Sequence, residues 1–98
     1  MNRYSVRIHE NPEQTGLKLE NLERKLRKYL ENKKAKEPAR ANGIANYELR
    51  NGLNVNLYSR NGNGILEMLV AGDISTFAKS IEAIMKIYKG HIEISYFQ

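Results

Sequence analysis

The chain contains no cysteine among its 98 residues, and it has two prolines and a single aspartate. Without cysteine, neither a structural disulfide nor a thiolate metal site can form. No apolar run approaches the roughly 20 residues that a helix needs to cross a bilayer, and the amino-terminal Met-Asn-Arg-Tyr lacks the apolar segment of a secretory signal. We therefore expect one cytoplasmic domain, residues 1–98, that has no membrane partner and is stabilised by an apolar core.

A concentrated positive charge distinguishes the sequence. Segment 24–40 carries eight lysines and arginines against two glutamates, a local charge of +6 in a chain whose net charge is +5. A field concentrated in this way attracts polyanions more strongly than scattered charge does. The i,i+4 pairs Glu20–Arg24 and Glu23–Arg27 predict that part of the segment is a salt-bridged, solvated helix face. The cations left without a predicted partner are Lys25, Lys28, Lys33, Lys34, Lys36 and Arg40.

The first half of the chain shows a strand pattern followed by a helix pattern. Apolar and polar residues alternate through 3–9, which predicts a first strand. Asn11-Pro12 predicts a helical turn, and apolar residues at steps of three and four predict an amphipathic helix over 17–32. Segment 33–43 contains a proline, a glycine and much charge, so we expect it to be a linker.

Two short alternating segments, 46–50 and 53–58, and a third, 65–70, that is apolar on both faces except for Glu67, predict an antiparallel meander. In the first hairpin, burial of alternate residues pairs Tyr47 with Val55. This register leaves a three-residue loop, 50–52, in which the glycine adopts the left-handed conformation of a G1 bulge.

The second hairpin is predicted to have a four-residue loop, 60–63, that projects into solvent. This loop length pairs Leu57 with Leu66 and Val55 with Met68. The opposite face of the sheet then carries several apolar residues. We expect them to be buried either by the second helix or by another subunit. These residues are Tyr58, Ile65, Leu69 and Phe97.

The last part of the chain predicts one more helix and one more strand. Asp73 is a suitable N-cap for a helix that ends at Gly90, and residues 92–97 alternate. The predicted order is β-α-β-β-β-α-β, a single α+β domain in which helices pack on a three-stranded antiparallel meander. Because Glu93 is the only charged residue in the last strand, we expect that strand to form an edge-to-edge homodimer.

The predicted order of helices and strands suggests comparison with two known architectures. The α-β-β-β-α core resembles the element order of a double-stranded-RNA-binding domain, but Asp73-Ile74-Ser75-Thr76 stands where that family has a lysine cluster. The resemblance is therefore limited to topology, and no family is assigned. The alternative is a winged-helix arrangement, with 33–43 as a short recognition element and the 60–63 hairpin as the wing.

Catalytic chemistry is not indicated by the sequence. His9 and His91 fall at strand positions predicted to face solvent, and the single aspartate is assigned to the helix cap. No phosphate-binding glycine loop, metal-ligand spacing or nucleophile motif occurs. We therefore expect a protein that is not an enzyme and that uses no cofactor, metal or small-molecule substrate.

These features predict a small DNA-binding homodimer, a regulator or DNA-processing accessory factor of the kind that plasmids and phages encode. The cations without predicted partners would hold backbone phosphates. The hairpin tips would probe a groove through Arg50, Asn51, Arg60, Asn61 and Asn63. Two alternatives stay open: a module whose basic helix docks an acidic protein, and an RNA-binding protein with or without ribonuclease activity.

Overall fold

The computed structural model describes residues 2–9, 19–58, 64–87 and 91–97. Its elements follow in the order β1 (Arg3–His9), α1 (Leu19–Lys33), β2 (Ala39–Ala41), β3 (Ile44–Glu48), β4 (Asn54–Tyr58), β5 (Ile65–Ala71), α2 (Ile74–Ile87) and β6 (Ile92–Phe97). The strands of the described chain form one antiparallel sheet in the spatial order β2-β3-β4-β5-β1-β6. This confirms the predicted α+β order β-α-β-β-β-α-β, to which the structure adds the short strand β2.

Strand β2 lies within the segment that was predicted to be a linker. Ala41 pairs with Ile44, and both residues between them have positive φ, 53° for Asn42 and 77° for Gly43. Two consecutive residues with positive φ form a type I′ turn, for which Asn-Gly is the preferred sequence. The segment therefore forms an edge strand, and it does not contain the recognition helix that a winged-helix arrangement requires.

Both helices pack on the same face of the sheet. A closed apolar layer joins Leu26 and Leu30 of α1, Met68 of β5 and Ile81 of α2. Tyr4 stacks on Phe77 with ring centroids 3.9 Å apart and an interplanar angle of 6°, which fixes α2 over β1. Because apolar residues alternate along the strands and recur every three or four positions along the helices, each element buries one side in this layer. No polar or charged residue of the described chain is buried.

The first hairpin confirms the predicted register. Tyr47 pairs with Val55, and the Leu49 amide donates to the Leu53 carbonyl at 2.9 Å. Gly52 has a φ of +93°, in agreement with the expected bulge. The three-residue loop therefore holds Arg50 and Asn51 at a defined position next to the end of α1.

The second hairpin has a different register from the predicted one. Val55 pairs with Val70 and Leu57 with Met68, a shift of two residues along β5. A two-residue shift keeps every side chain on its own face, so the burial pattern could not distinguish the two registers. The loop with Arg60, Asn61 and Asn63 lies outside the described residues, as do the predicted helix start at Asn11-Pro12 and helix end at Gly90.

The helix ends that are described agree with the sequence. Helix α1 ends at Lys33, one residue beyond the predicted position. The Oδ2 atom of Asp73 accepts hydrogen bonds from the amides of Ser75 and Thr76, at 3.1 and 3.2 Å. Bonds from the Ser75 hydroxyl and then the Thr76 amide hold the pKa of Asp73 below its usual value. Neither α1 nor α2, within the residues described, is long and apolar enough to span a membrane.

Candidate polyanion-binding cleft

Arg24 and Arg27 contact Glu20 and Glu23 as predicted, at 3.9 and 3.0 Å. The other six cations of the basic segment divide into two groups, the first of which is ion-paired. Lys34 Nζ lies 2.6 Å from Glu31 Oε2 and 2.9 Å from Glu37 Oε1, and a guanidinium nitrogen of Arg40 lies 2.9 Å from Glu31 Oε1. Lys36 Nζ lies 3.2 Å from Glu48 Oε1. The expectation that Lys34, Lys36 and Arg40 lack carboxylate partners is therefore wrong. Lys34 pairs with glutamates only three residues away in the sequence. Arg40 and Lys36 find their partners through the fold, because pairing of β2 with β3 returns the chain to the end of α1.

Glu31 is at the centre of this ion-paired group. The hydrogen bond from Lys34, and then that from Arg40, holds the pKa of Glu31 below its usual value. Glu31 and then Glu37 raise the pKa of Lys34. These cations already have local counter-charges, so they contribute less than Lys33 or Arg50 to the attraction of an external anion.

The second group consists of cations that have no ion-pair partner among the described residues. Lys25, Lys28 and Lys33 are exposed on α1, and the ion pairs of the described chain include none of them. Lys25 and Lys33 lie on the same side of the helix as Tyr29, since residues four apart are neighbours on a helix surface. They form a row that leads to the carboxyl-terminal end of α1.

A cleft of about 700 Å³ begins where this row ends, between α1, the β3–β4 loop and the first turns of α2. Among the described residues that line it, three side chains are cations and none is a carboxylate. The lining residues are Tyr29, Lys33, Arg50, Asn51, Thr76, Lys79 and Ser80. We call this surface the basic cleft.

Backbone contacts position the β3–β4 loop against α1. The Arg50 amide donates to the Lys33 carbonyl at 2.9 Å, and the Arg50 guanidinium donates to the Asn32 carbonyl. Asn51 Oδ1 accepts the Leu53 amide at 3.1 Å. Arg50 therefore satisfies a carbonyl group at the end of α1 that has no partner within the helix. The other four of the five N–H donors of its guanidinium stay available.

The wall formed by α2 contributes Lys79 together with two hydroxyl residues. The Ser80 hydroxyl donates to the Thr76 carbonyl at 3.2 Å, so it is already engaged within the helix. The donors available to a ligand are therefore mainly the ammonium groups of Lys33 and Lys79 and the guanidinium of Arg50. Such donors match the oxygen atoms of phosphates and carboxylates.

The structure thus brings together only part of the predicted site. Lys33, Arg50 and Asn51 line the basic cleft, and Lys25 and Lys28 lie on the adjacent helix. Sequence reasoning did not find Lys79, because a single lysine on the polar side of α2 gives no local signal. Its position opposite the hairpin depends on how α2 packs on the sheet.

No family model, curated protein or solved structure matches this chain.

Proposed function

We propose that the protein is a non-catalytic module that binds double-stranded DNA through backbone phosphates. The observation that supports this function is the basic cleft, a concave surface whose described lining has three cations and no carboxylate. Lys25 and Lys28, which have no ion-pair partner within the described part of the chain, extend it along α1. Phosphate contacts supply most of the non-specific affinity of DNA-binding proteins, so a cluster of uncompensated cations is the required feature.

The length of the basic row fits several phosphates. Lys25 and Lys33 are eight residues apart on one helix, which corresponds to about 12 Å along the axis. Phosphates of one strand follow one another every 3.4 Å of rise in a duplex, so this distance spans about three to four of them. Arg50 and Lys79 add two further contacts at the cleft.

The first experiment measures DNA affinity as a function of salt by fluorescence anisotropy with a random-sequence duplex. The triple variant Lys33→Ala, Arg50→Ala, Lys79→Ala removes three contacts, each of which contributes about 0.9 to the slope of log K against log salt. We expect the slope to fall in magnitude by roughly 2 to 3, with a loss of affinity of at least about tenfold at low salt. A flat salt dependence of the unmodified protein would contradict phosphate binding.

A matched control removes the same number of charges from the ion-paired group. The variant Lys34→Ala, Lys36→Ala, Arg40→Ala changes the net charge equally but leaves the basic cleft intact. It should retain most of the affinity and of the salt slope. If both triple variants bind equally weakly, net charge rather than the basic cleft determines binding, and the site assignment fails.

Two competitors separate the proposed function from its alternatives. Poly-glutamate offers a carboxylate polyanion of the same charge, and an RNA duplex of the same sequence offers A-form phosphate geometry. We expect DNA to compete best. Displacement by poly-glutamate at equal charge concentration would point to an acidic protein partner, and stronger competition by RNA would point to an RNA-binding protein.

We also propose that the protein acts as a homodimer joined at β6. This strand is at one end of the sheet order and exposes three large apolar residues, with relative accessibilities of 46% for Ile94, 52% for Tyr96 and 41% for Phe97. Glu93 is its only charged residue, so two copies of the strand meet little electrostatic repulsion. Pairing of one β6 with a second β6 would satisfy the unpaired backbone groups of both edges.

A further inference from the structure

Two histidines and a glutamate meet where the end of β1 lies beside the start of β6. The His9 amide donates to the His91 carbonyl at 2.9 Å, so these residues lie opposite each other on neighbouring strands. Their rings are 5.0 Å apart at an angle of 68°. Glu93 lies on the same face as His91, because residues two apart in a strand point to the same side. This face is the one opposite the two helices.

The carboxylate of Glu93 lies between the two imidazole rings. Its Oε1 atom is 3.1 Å from His9 Nε2 and 3.2 Å from His91 Nε2, and the three potential ligand atoms lie within 4.8 Å of one another. The neighbouring cation on this face, Arg7, is 3.3 Å from the carboxylate of Glu67 on β5. Arg7 therefore has a carboxylate of its own, and Glu93 faces the histidines.

The distances fit tetrahedral coordination. Zinc–nitrogen and zinc–oxygen bonds of about 2.0–2.2 Å place two ligand atoms of a tetrahedron about 3.3–3.5 Å apart. The two separations from Glu93 Oε1 are a few tenths of an ångström shorter, and the imidazole nitrogens lie within 4.8 Å of each other, so modest side-chain rotations would bring the three atoms to tetrahedral distances. Neutral imidazole and carboxylate are ligands of zinc and of related divalent transition metals.

We propose that His9, His91 and Glu93 form a binding site for a divalent transition-metal cation, with Zn²⁺ as the preferred ion. The protein supplies three ligands, and water occupies the fourth position. His9 is on a strand that is paired on both sides, so its backbone is held in place by β5 and β6. The site shares no residue with the basic cleft. The proposal of a metal site therefore does not depend on the proposal of DNA binding.

A bound cation would join β6 to β1 through side chains as well as through the backbone. Because the three ligands come together only in the folded chain, the metal stabilises the folded state and raises the unfolding temperature. This distinguishes coordination from the simpler arrangement in which Glu93 is hydrogen-bonded to His91 and only lies beside His9.

The experiment uses untagged protein that has been dialysed against a chelator and then titrated with Zn²⁺ by calorimetry and by thermal unfolding. We expect binding of one ion per chain and an unfolding temperature that rises with free Zn²⁺. Mg²⁺, which prefers six oxygen ligands, should give neither signal. Absence of binding up to millimolar Zn²⁺ would overturn the proposal.

Single substitutions test the ligand assignment. His9→Ala, His91→Ala and Glu93→Gln should each weaken Zn²⁺ binding by at least about tenfold, since loss of even an outer-shell partner costs 10–100-fold. Glu82→Gln is the matched control, because it neutralises an exposed carboxylate on α2, on the other side of the sheet from the proposed ligands. Zinc affinity that is equal in the ligand variants and the control would show that the ion binds elsewhere.

A measurement on the unmodified chain removes the question of whether a variant folds. In a nuclear magnetic resonance titration, the imidazole signals of His9 and His91 should shift together and saturate at the same Zn²⁺ concentration. If only one of them responds, the two rings do not coordinate the same ion, and the proposal is wrong.

Discussion

Two glycines illustrate how strongly the requirements at a single residue depend on its surroundings. Gly72, which follows β5, has a φ of +152°, and a Cβ atom added there would lie 2.5 Å from Leu53 Cδ2. Leu53 is 2% exposed, so its side chain has little room to move. Gly52 also has a positive φ, +93°, but an added Cβ would meet nothing within 4 Å. Both positions need an unusual backbone conformation, and only Gly72 also needs the absence of a side chain.

We therefore expect Gly72→Ala to destabilise the protein more than Gly52→Ala. Backbone strain combined with overpacking should lower the free energy of unfolding by about 2–3 kcal/mol at Gly72. Left-handed strain alone should cost about 1 kcal/mol at Gly52. Urea denaturation with an unchanged m-value measures the difference. Equal losses in the two variants would show that the contact with Leu53 is unimportant.

Adjacent residues of the basic segment also have different environments. Lys33 lines the basic cleft, whereas Lys34 contacts two glutamates at 2.6 and 2.9 Å. Reversal of both charges together would therefore combine two effects, loss of an external contact and loss of an internal ion pair. Single substitutions at these positions separate binding from stability.

At the scale of the elements, the ion-paired group fastens β2 to the end of α1. Glu31 accepts from Lys34 and from Arg40 of β2, and its folded-state pKa lies below the usual value of 4.5. A carboxylate with a depressed pKa stabilises the folded state above its unfolded-state pKa, and this contribution disappears as the pH falls through the folded-state value. The attachment of β2 is thus expected to weaken in acid.

The corresponding prediction concerns Glu31→Gln. The unfolding temperature of the unmodified protein should fall as the pH drops below about 4.5, and the variant should show a shallower fall because it has no carboxylate to protonate at this position. Circular dichroism melts across this range measure the difference. Asp73, whose pKa is also lowered, is present in both proteins and cancels in the comparison.

Glu20→Gln serves as the control for this experiment. Glu20 is exposed, and its contact with Arg24 is 3.9 Å long, so little stability depends on it. Its acid dependence should follow that of the unmodified protein. If Glu20→Gln and Glu31→Gln behave alike, the ion-paired group does not contribute to the pH dependence.

For the whole molecule, the main asymmetry is that both helices cover one face of the sheet. The other face presents polar residues such as Asn46, whose amide donates to Asn54 Oδ1 at 2.8 Å and to Asn56 Oδ1 at 2.6 Å. It also carries Tyr58 and Leu69, which are half-buried. Helix α2 does not cover these residues, contrary to one of the two arrangements expected from the sequence. The β6 end of the sheet contributes three of the exposed large apolar side chains of the described chain.

The prediction at this scale is that Ile94→Lys weakens self-association. A lysine on an edge strand opposes edge-to-edge pairing through charge repulsion and through the cost of desolvation. Sedimentation over a range of concentrations should show a dimer for the unmodified protein and a shift towards monomer for the variant. Ala41→Lys, on the opposite edge strand β2, is the matched control. A monomer at every concentration of the unmodified protein would exclude the β6 dimer.

Much of the fold was predictable because it depends on patterns that are local in the sequence. The alternation in β1, the three- and four-residue spacing in α1 and the cap at Asp73 each reflect contacts within a few residues. The loop 50–52 was predictable because two buried strands and one glycine allow a single register. Strand β2 was missed, although Asn42-Gly43 is a hairpin signal, because the charge around it suggested a linker.

By itself the sequence determined the fold class, the order of the elements and the concentration of positive charge in 24–40. Lys34 has its partners three residues away in the sequence, but only the tertiary structure decided whether Lys33, Lys36 and Arg40 are available, because their partners or neighbours lie on other elements. Glu48 of β3 pairs with Lys36, while Lys79 of α2 joins Lys33 in the basic cleft. His9 and His91 likewise meet only because β1 and β6 pair in the sheet. Local periodicity specifies each element, whereas the electrostatics of a surface depends on which elements are adjacent.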